Sequence, residues 1–296
     1  MRLSADDLTV LAGYAVAAAR DAGELITSYA NRSVEVRHKA GGESFASQVV
    51  TEVDLLSERL IVNILKPSCE QYDLALLTEE SADDRERLDK DYFWCVDPMD
   101  GTLAFTESIP GYAVSIALVS QSGEPVIGVV YDPVTQSLYS AVRGQGAMRN
   151  GVPWSLDLSA AGGRPLTLVC DRGFLAMPYA APIRDALNAL SPRYSVNGLV
   201  IRESNGAVLN ACWALENFPA VYLKCPKAED GGGSLWDFAA TAALFNELGC
   251  DSTDVHGEPL DLNRADSSFM NHRGVFFSTA QLLASERQAL WALCSR

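Results

Sequence analysis

"CVDPMDGTLAF", residues 95–105, decides how the rest of the chain is read. Asp97 and Asp100 stand three residues apart; a proline follows the first and a glycine the second. The apolar run Tyr92–Val96 that leads in has the composition of a buried strand. Such a strand delivers Asp97 to a sheet edge. Pro98 removes a backbone donor and fixes φ, and Gly101 permits close backbone approach. In a turn the two carboxylates converge with the Met99 carbonyl between them, and hard oxygen donors so arranged suit Mg²⁺. An Asp-Pro turn with solvated acids reads the same way in isolation, so the choice rests on the rest of the chain.

The segment MDGTL is also similar to the Asp-x-Asp-Gly-Thr loop of haloacid-dehalogenase-type phosphatases, where an aspartate accepts the phosphoryl group. That loop separates its aspartates by one residue. Here position 98 is proline, so the aspartyl nucleophile is missing.

Three other segments carry acids in structured contexts. "LLTEES", residues 76–81, ends a strand-like run with Glu79-Glu80. "VVTEVD", residues 49–54, places Thr51 and Asp54 at a helix start, with the spacing of a capping box. "GGGSLWDFAATAALFNELG", residues 231–249, opens a helix with Ser234 as N-cap and Asp237 three residues on. A capping box explains that pair too, and the helix dipole favours a carboxylate there.

Around these segments the periodicity predicts a helix over 4–30 capped by Ser4, and a helix over 52–65 ended by Pro67. Strands are expected over 74–77, 92–96, 113–119, 126–131 and 138–142. The first half therefore reads as helices on a meandering antiparallel sheet. The stretch 158–165, with Gly162-Gly163, marks a junction between an N-terminal α+β subdomain (1–160) and a C-terminal α/β subdomain (161–296). Beyond it strands (166–170, 193–196, 220–223, 275–278) alternate with helices (181–190, 205–215, 235–248, 280–294), the pattern of a layered α/β half.

Composition narrows the function. Apolar residues make up 48% of 296, enough for a large core. The N-terminal residues show no signal-peptide pattern, and no apolar run reaches the roughly 18 residues of a membrane helix, which predicts a cytoplasmic protein without a membrane partner. The net charge of −15 disfavours a nucleic-acid polymer as partner. A small anionic substrate then needs local positive charge, and bound cations are one source. The seven cysteines are scattered, odd in number and without a Cys-x-x-Cys pair, so all are expected as free buried thiols. The three histidines show no metal-ligand spacing.

Taken in order, strand–Glu-Glu, strand–Asp-Pro-x-Asp-Gly-Thr and Gly-rich–Ser-x-Trp-Asp form a specific constellation. It resembles the inositol monophosphatase superfamily of Mg²⁺-dependent, lithium-sensitive phosphomonoesterases, from about Val49 to Leu262. "YAVSIALV", "GVVYDPVTQSLYSAVRGQGAMRNG" and "WDFAATAALFNELG" resemble the same family. The resemblance implies a layered αβαβα sandwich of mixed α/β class and a homodimer. It also implies two to three Mg²⁺ ions. Glu79, Asp97 and the Met99 carbonyl would hold one; Asp97, Asp100 and Asp237 a second; Glu79 would help with a third. Thr102 with Asp54 would orient and deprotonate a metal-activated water that attacks phosphorus in line, without a covalent intermediate, and Asp100 would assist the leaving group. Gly101 and Thr102 N–H groups would cradle phosphate oxygens. Asn205, Gly206 and Ala207 would touch the body of a small phosphate ester of the inositol monophosphate or 3′-phosphoadenosine 5′-phosphate class. Sugar and histidinol phosphates, and a catalytically silent metal- or phosphate-binding role, are the competing readings.

Lys39 falls in the family's lysine-bearing loop, although a solvated lysine reads equally well. Where animal inositol monophosphatases carry a glutamate for inositol hydroxyls, this chain has Lys224, and a longer segment adds Lys227. An ammonium donates and cannot accept, so Lys224 points to a substrate with a second anionic group. A solvent-facing lysine is the alternative.

Overall fold

The computed structural model describes residues 2–30, 32, 36–38, 49–194, 198–204 and 206–294. Helix α1 (Ala5–Tyr29) starts at Ser4, whose side chain and that of Asp7 form a capping box. Strands β1 (Val36–His38) and β2 (Val49–Thr51) pair antiparallel, and α2 (Glu52–Tyr72) follows from the Thr51 cap. Strands β3 (Ala75–Thr78), β4 (Tyr92–Asp100), β5 (Ala113–Ser120), β6 (Pro125–Asp132), β7 (Ser137–Val142), β8 (Gly146–Arg149) and β9 (Val152–Trp154) make one seven-stranded sheet in that order, with the short helix α3 (Thr102–Thr106) after β4. Only the β3–β4 pair is parallel.

The second sheet comes from β10 (Leu166–Asp171), β11 (Leu199–Ser204), β12 (Ala220–Lys224), β13 (Asp251–Thr253) and β14 (Val275–Ser278). Its order is β11-β10-β12-β14-β13; the first three strands run parallel and the last two pairings are antiparallel. Helix α4 (Ala180–Leu190) follows β10, α5 (Ala207–Glu216) follows β11, α6 (Leu235–Glu247) follows β12, and α7 (Ala284–Cys294) follows β14.

Side-chain alternation stacks these elements into five layers. On β4, Trp94 and Val96 face α1 and α2, packing with Leu11, Ile26, Ile61 and Leu65. Phe93 and Cys95 face the other way, toward Val208 of α5 and Phe238 and Phe245 of α6. On β12, Tyr222 joins that central core while Val221 and Leu223 turn outward to Ile183, Leu187, Leu290 and Trp291 of α4 and α7. The result is the expected αβαβα sandwich. Both faces of each sheet are covered, which is why the central strands read as continuous apolar runs. Among the described residues no helix is long and apolar enough to cross a membrane.

Several expectations need correction. Pro67 does not end the second helix; it lies inside α2, which runs on to Tyr72. Burial of Ile61, Leu65 and Ser68 outweighs the one backbone bond that proline removes, and the Trp94 indole N–H donates to Ser68 Oγ at 2.9 Å, anchoring the turn beyond it. The strand expected over 193–196 is absent at its start, where Ser191–Arg193 is a 3₁₀ turn opened by Pro192, a residue preset for a first helical turn. The strand lies later, at Leu199–Ser204, and 195–197 fall outside the described residues. The β8–β9 hairpin was not expected. Helix α5 starts at Ala207, not at 205, with Gly206 as N-cap and no side-chain cap. The cysteines are not all free: Cys225, just past β12, is bonded to Cys294 at the end of α7, leaving five thiols.

Candidate active site

Strand register builds the site. Thr78 pairs with Val96 in the parallel β3–β4 ladder, so Glu79, the first residue past β3, comes beside Asp97 of β4, and the Glu79 N–H donates to the Val96 carbonyl at 3.1 Å. In the β4–β5 ladder Asp97 pairs with Ser115 and Asp100 with Ala113, three steps on one strand against two on the other. The extra residue is a bulge, a place where proline's missing donor costs no ladder bond. The Met99 N–H donates to Asp97 Oδ1 at 3.0 Å and fixes that carboxylate over the turn.

Ser115 also positions the last acid. Its hydroxyl donates to the Trp236 carbonyl at 2.9 Å, holding the first turn of α6 against β5. Asp237 follows and accepts the Ser234 N–H. Oxygens of Asp97, Asp100 and Asp237 then lie within 4.8 Å of one another. Asp100 is steered by α5, whose Val208 N–H donates to its Oδ2 at 2.8 Å. That approach needs two glycines. A Cβ on Gly206 would sit 2.6 Å from Asp100 Oδ2 and 2.3 Å from the Gly111 carbonyl oxygen. A Cβ on Gly101, at φ +82°, would sit 2.2 Å from that same oxygen.

Asp97 and Asp100 are buried, at 1% and 8% exposure, and Asp237 is half-buried. Burial, reinforced by mutual repulsion with Glu79 and Asp237, holds the Asp97 carboxyl well above the usual range. Burial and Asp237 do the same to Asp100. Burial raises Asp237 to about 6, against the pull of Lys224. Clustered carboxylates with raised affinity for positive charge fit a divalent cation with oxygen ligands. Glu79, Asp97, Asp100, Asp237 and the Met99 carbonyl are the residues that would hold it.

Thr102 opens α3 beside this cluster. Its hydroxyl donates to Asp54 Oδ1 at 2.8 Å and lies 3.1 Å from the Met99 carbonyl. The other oxygen of Asp54 accepts the Thr51 N–H at 2.7 Å and the Thr51 hydroxyl at 2.6 Å. Asp54 thus caps α2 and reaches the site at once. Burial raises its pKa to about 6, opposed by the Thr51 hydrogen bonds and assisted by the Glu79 charge.

Lys224 ends β12 and is not solvent-facing; its side chain is 16% exposed and its ammonium lies 3.0 Å from Asp171 Oδ2. The other Asp171 oxygen accepts the Asn210 amide and the Tyr222 hydroxyl, each at 2.9 Å. Burial works against the Lys224 charge, but Asp171, Asp237 and Asp100 outweigh it and hold its pKa above the ordinary lysine value. Lys227 is half-buried and donates its backbone N–H to the Asn271 carbonyl. Gly206 and Ala207 stand at the start of α5 over Asp100. Asn205 and Lys39 lie outside the described residues.

Asp171, Ser57 and Glu58 escape a reading of the sequence. The Ser57 hydroxyl donates to the Pro98 carbonyl at 2.9 Å. Glu58 accepts the Glu80 N–H at 2.9 Å and the Ser81 hydroxyl at 2.5 Å. Both stand on the Asp54 face of α2, at i+3 and i+4, which is the one signal that marks them in advance.

Comparison with known proteins agrees with this arrangement. The sequence profile of the inositol monophosphatase family matches residues 7–290. The chain is 41% identical over 245 residues to the Nus factor SuhB of Escherichia coli K12, covering 82% of this chain and 84% of that one. It is 30% identical over 256 residues to inositol monophosphatase 1 of Solanum lycopersicum, covering 84% and 86%. The fold superposes on an IMPase from Thermotoga maritima with a TM-score of 0.72 at 20% identity, covering 96% and 97%. A profile match along nearly the whole chain, on a fold that gathers the acids of two separate motifs, makes this chain a member of the inositol monophosphatase family.

Proposed function

We propose that the protein is a Mg²⁺-dependent phosphomonoesterase acting on a small phosphate ester, of the inositol monophosphate or 3′-phosphoadenosine 5′-phosphate class. The observation that carries this reading is the convergence of Asp97, Asp100 and Asp237 within 4.8 Å, beside a Thr102–Asp54 hydrogen bond. Bound Mg²⁺ supplies the positive field for the phosphate and lowers the pKa of the attacking water. The Thr102 hydrogen is committed to Asp54, so the Thr102 oxygen is left to accept a hydrogen bond from that water and to orient it. As the water attacks phosphorus its proton passes to Thr102 Oγ1, and the Thr102 proton passes to Asp54. Asp54 is placed for that task by geometry: one oxygen accepts the Thr102 hydroxyl at 2.8 Å while the other is held by the Thr51 N–H and hydroxyl. The backbone around Gly101 and Thr102 flanks the place where phosphate oxygens would lie, and Lys224 is the ammonium on the side of the substrate body.

One observation favours a second reading. The Escherichia coli relative bears the name Nus factor, which suits a binding role without turnover. Phosphate release decides between them, measured on inositol 1-phosphate, 3′-phosphoadenosine 5′-phosphate, fructose 1,6-bisphosphate and histidinol phosphate with and without Mg²⁺. Release that needs Mg²⁺ supports the phosphatase, whereas silence on every ester with Mg²⁺ present overturns it.

A further inference from the structure

We infer that Ser57 and Glu58 are positioning residues that set the spacing of the two acid-bearing segments, and hence the strength with which the site holds a divalent cation. Helix α2 presents Asp54, Ser57 and Glu58 on one buried face, at 0%, 0% and 7% exposure. Each grips a different part of the site. Asp54 holds Thr102. Ser57 holds the Pro98 carbonyl, midway between Asp97 and Asp100. Glu58 holds the Glu80 N–H and the Ser81 hydroxyl, the residues that follow Glu79.

The physical need for such a clamp is visible in the same region. Glu79 follows the end of β3, whereas Asp97 and Asp100 flank the bulge of β4, and the two segments must keep a fixed spacing if their acids are to share one ion. The β4 ladder cannot fix that spacing at Pro98, which has no N–H to give, so its carbonyl is the remaining backbone handle there, and Ser57 takes it. The Glu79 segment has left the sheet after Thr78, and the Glu79 N–H donates to the Val96 carbonyl. Glu58 supplies two more bonds, both to a carboxylate acceptor and therefore stronger than neutral ones. One rigid helix thus references both acid segments to each other. Second-layer partners of this kind tune metal affinity.

The inference rests on the reading of the acids as a cation site, and one experiment separates the two. Mn²⁺ is titrated into the full-length protein and followed by calorimetry and by the electron-spin signal of free Mn²⁺, on wild type, Glu58→Ala, Glu58→Gln and Ser57→Ala, each checked for folding by its melting curve. Glutamine keeps an acceptor for the Glu80 N–H, and its amide can donate to Ser81 Oγ. The expected result is an Mn²⁺ Kd raised about 10-fold or more in Glu58→Ala, raised several-fold in Ser57→Ala, and kept within about 3-fold of wild type in Glu58→Gln. A purely structural role would lower the melting temperature and leave Kd, measured well below it, unchanged. If wild type binds no Mn²⁺, the cation reading itself fails. If wild type binds and the folded variants bind equally well, the positioning role is overturned. Should Glu58→Ala not fold, Ser57→Ala decides alone, because it removes one oxygen from a helix that keeps its caps.

Discussion

Asp54 and Thr102 lie 48 residues apart and are joined by a 2.8 Å hydrogen bond between a helix N-terminus and the turn that follows β4. The bond leaves Asp54 one oxygen for capping and one for the site. Replacing Asp54 with Asn preserves a helix cap but removes the base of the proposed mechanism. We expect Asp54→Asn to lower kcat by about 10²–10⁴ with a melting temperature near wild type. Steady-state kinetics beside a melting curve checks this; an active Asp54→Asn would leave the relay without a proton acceptor.

Stability should depend on pH in a direction set by the buried acids. Burial raises Asp54 and Asp237 from 3.8 to about 6 in the folded, cation-free protein. Between those values the folded state holds more protons than the unfolded state, so stability falls as pH rises through the window. The contribution is present below about pH 4 and gone above about pH 6, on the order of 2–3 kcal/mol for each group. Melting curves from pH 4.5 to 7.5 in EDTA should therefore drift downward, and saturating Mg²⁺ should remove the drift. A rise in EDTA across the window would contradict the sign.

Lys224 offers a test of substrate choice. Lys224→Met removes the ammonium without placing a new acid beside Asp171. We expect KM for a substrate with two phosphates to rise about 10-fold, and KM for a monophosphate to change by less than about 3-fold. Equal shifts would confine Lys224 to holding Asp171.

The Cys225–Cys294 bond ties β12 to α7 across 69 residues of sequence. Alkylation of the denatured protein without reductant should label five of the seven cysteines. Cys294→Ser should cost about 2–4 kcal/mol of stability. Labelling of all seven would show the bond absent.

Much of the site was legible because the acids sit in strong local contexts. Asp54 and Asp237 read as capping residues, and they are; each spends one oxygen on its helix and turns the other side inward. The motif order then tied Glu79, Asp97, Asp100 and Thr102 together. What could not be read depends on partners that carry no sequence identity. Ser57 and Glu58 bind backbone groups of Pro98 and Glu80. Asp171 matters through Lys224, 53 positions away and on a neighbouring strand of the parallel ladder. Pro67 signalled a helix end, and tertiary burial overrode it. The bond between Cys225 and Cys294 required knowing that α7 returns to the end of β12, which spacing alone does not reveal.

The carbonyl of Gly111 lies against both Gly101 and Gly206, where any Cβ would come within 2.3 Å of it. For anyone wishing to redirect this scaffold to another ester, that floor is closed to redesign: not even alanine fits. Under the proposed function, new selectivity would be written on the walls, at Lys224 and Asp171, leaving the floor as the unchanged part of any engineered descendant.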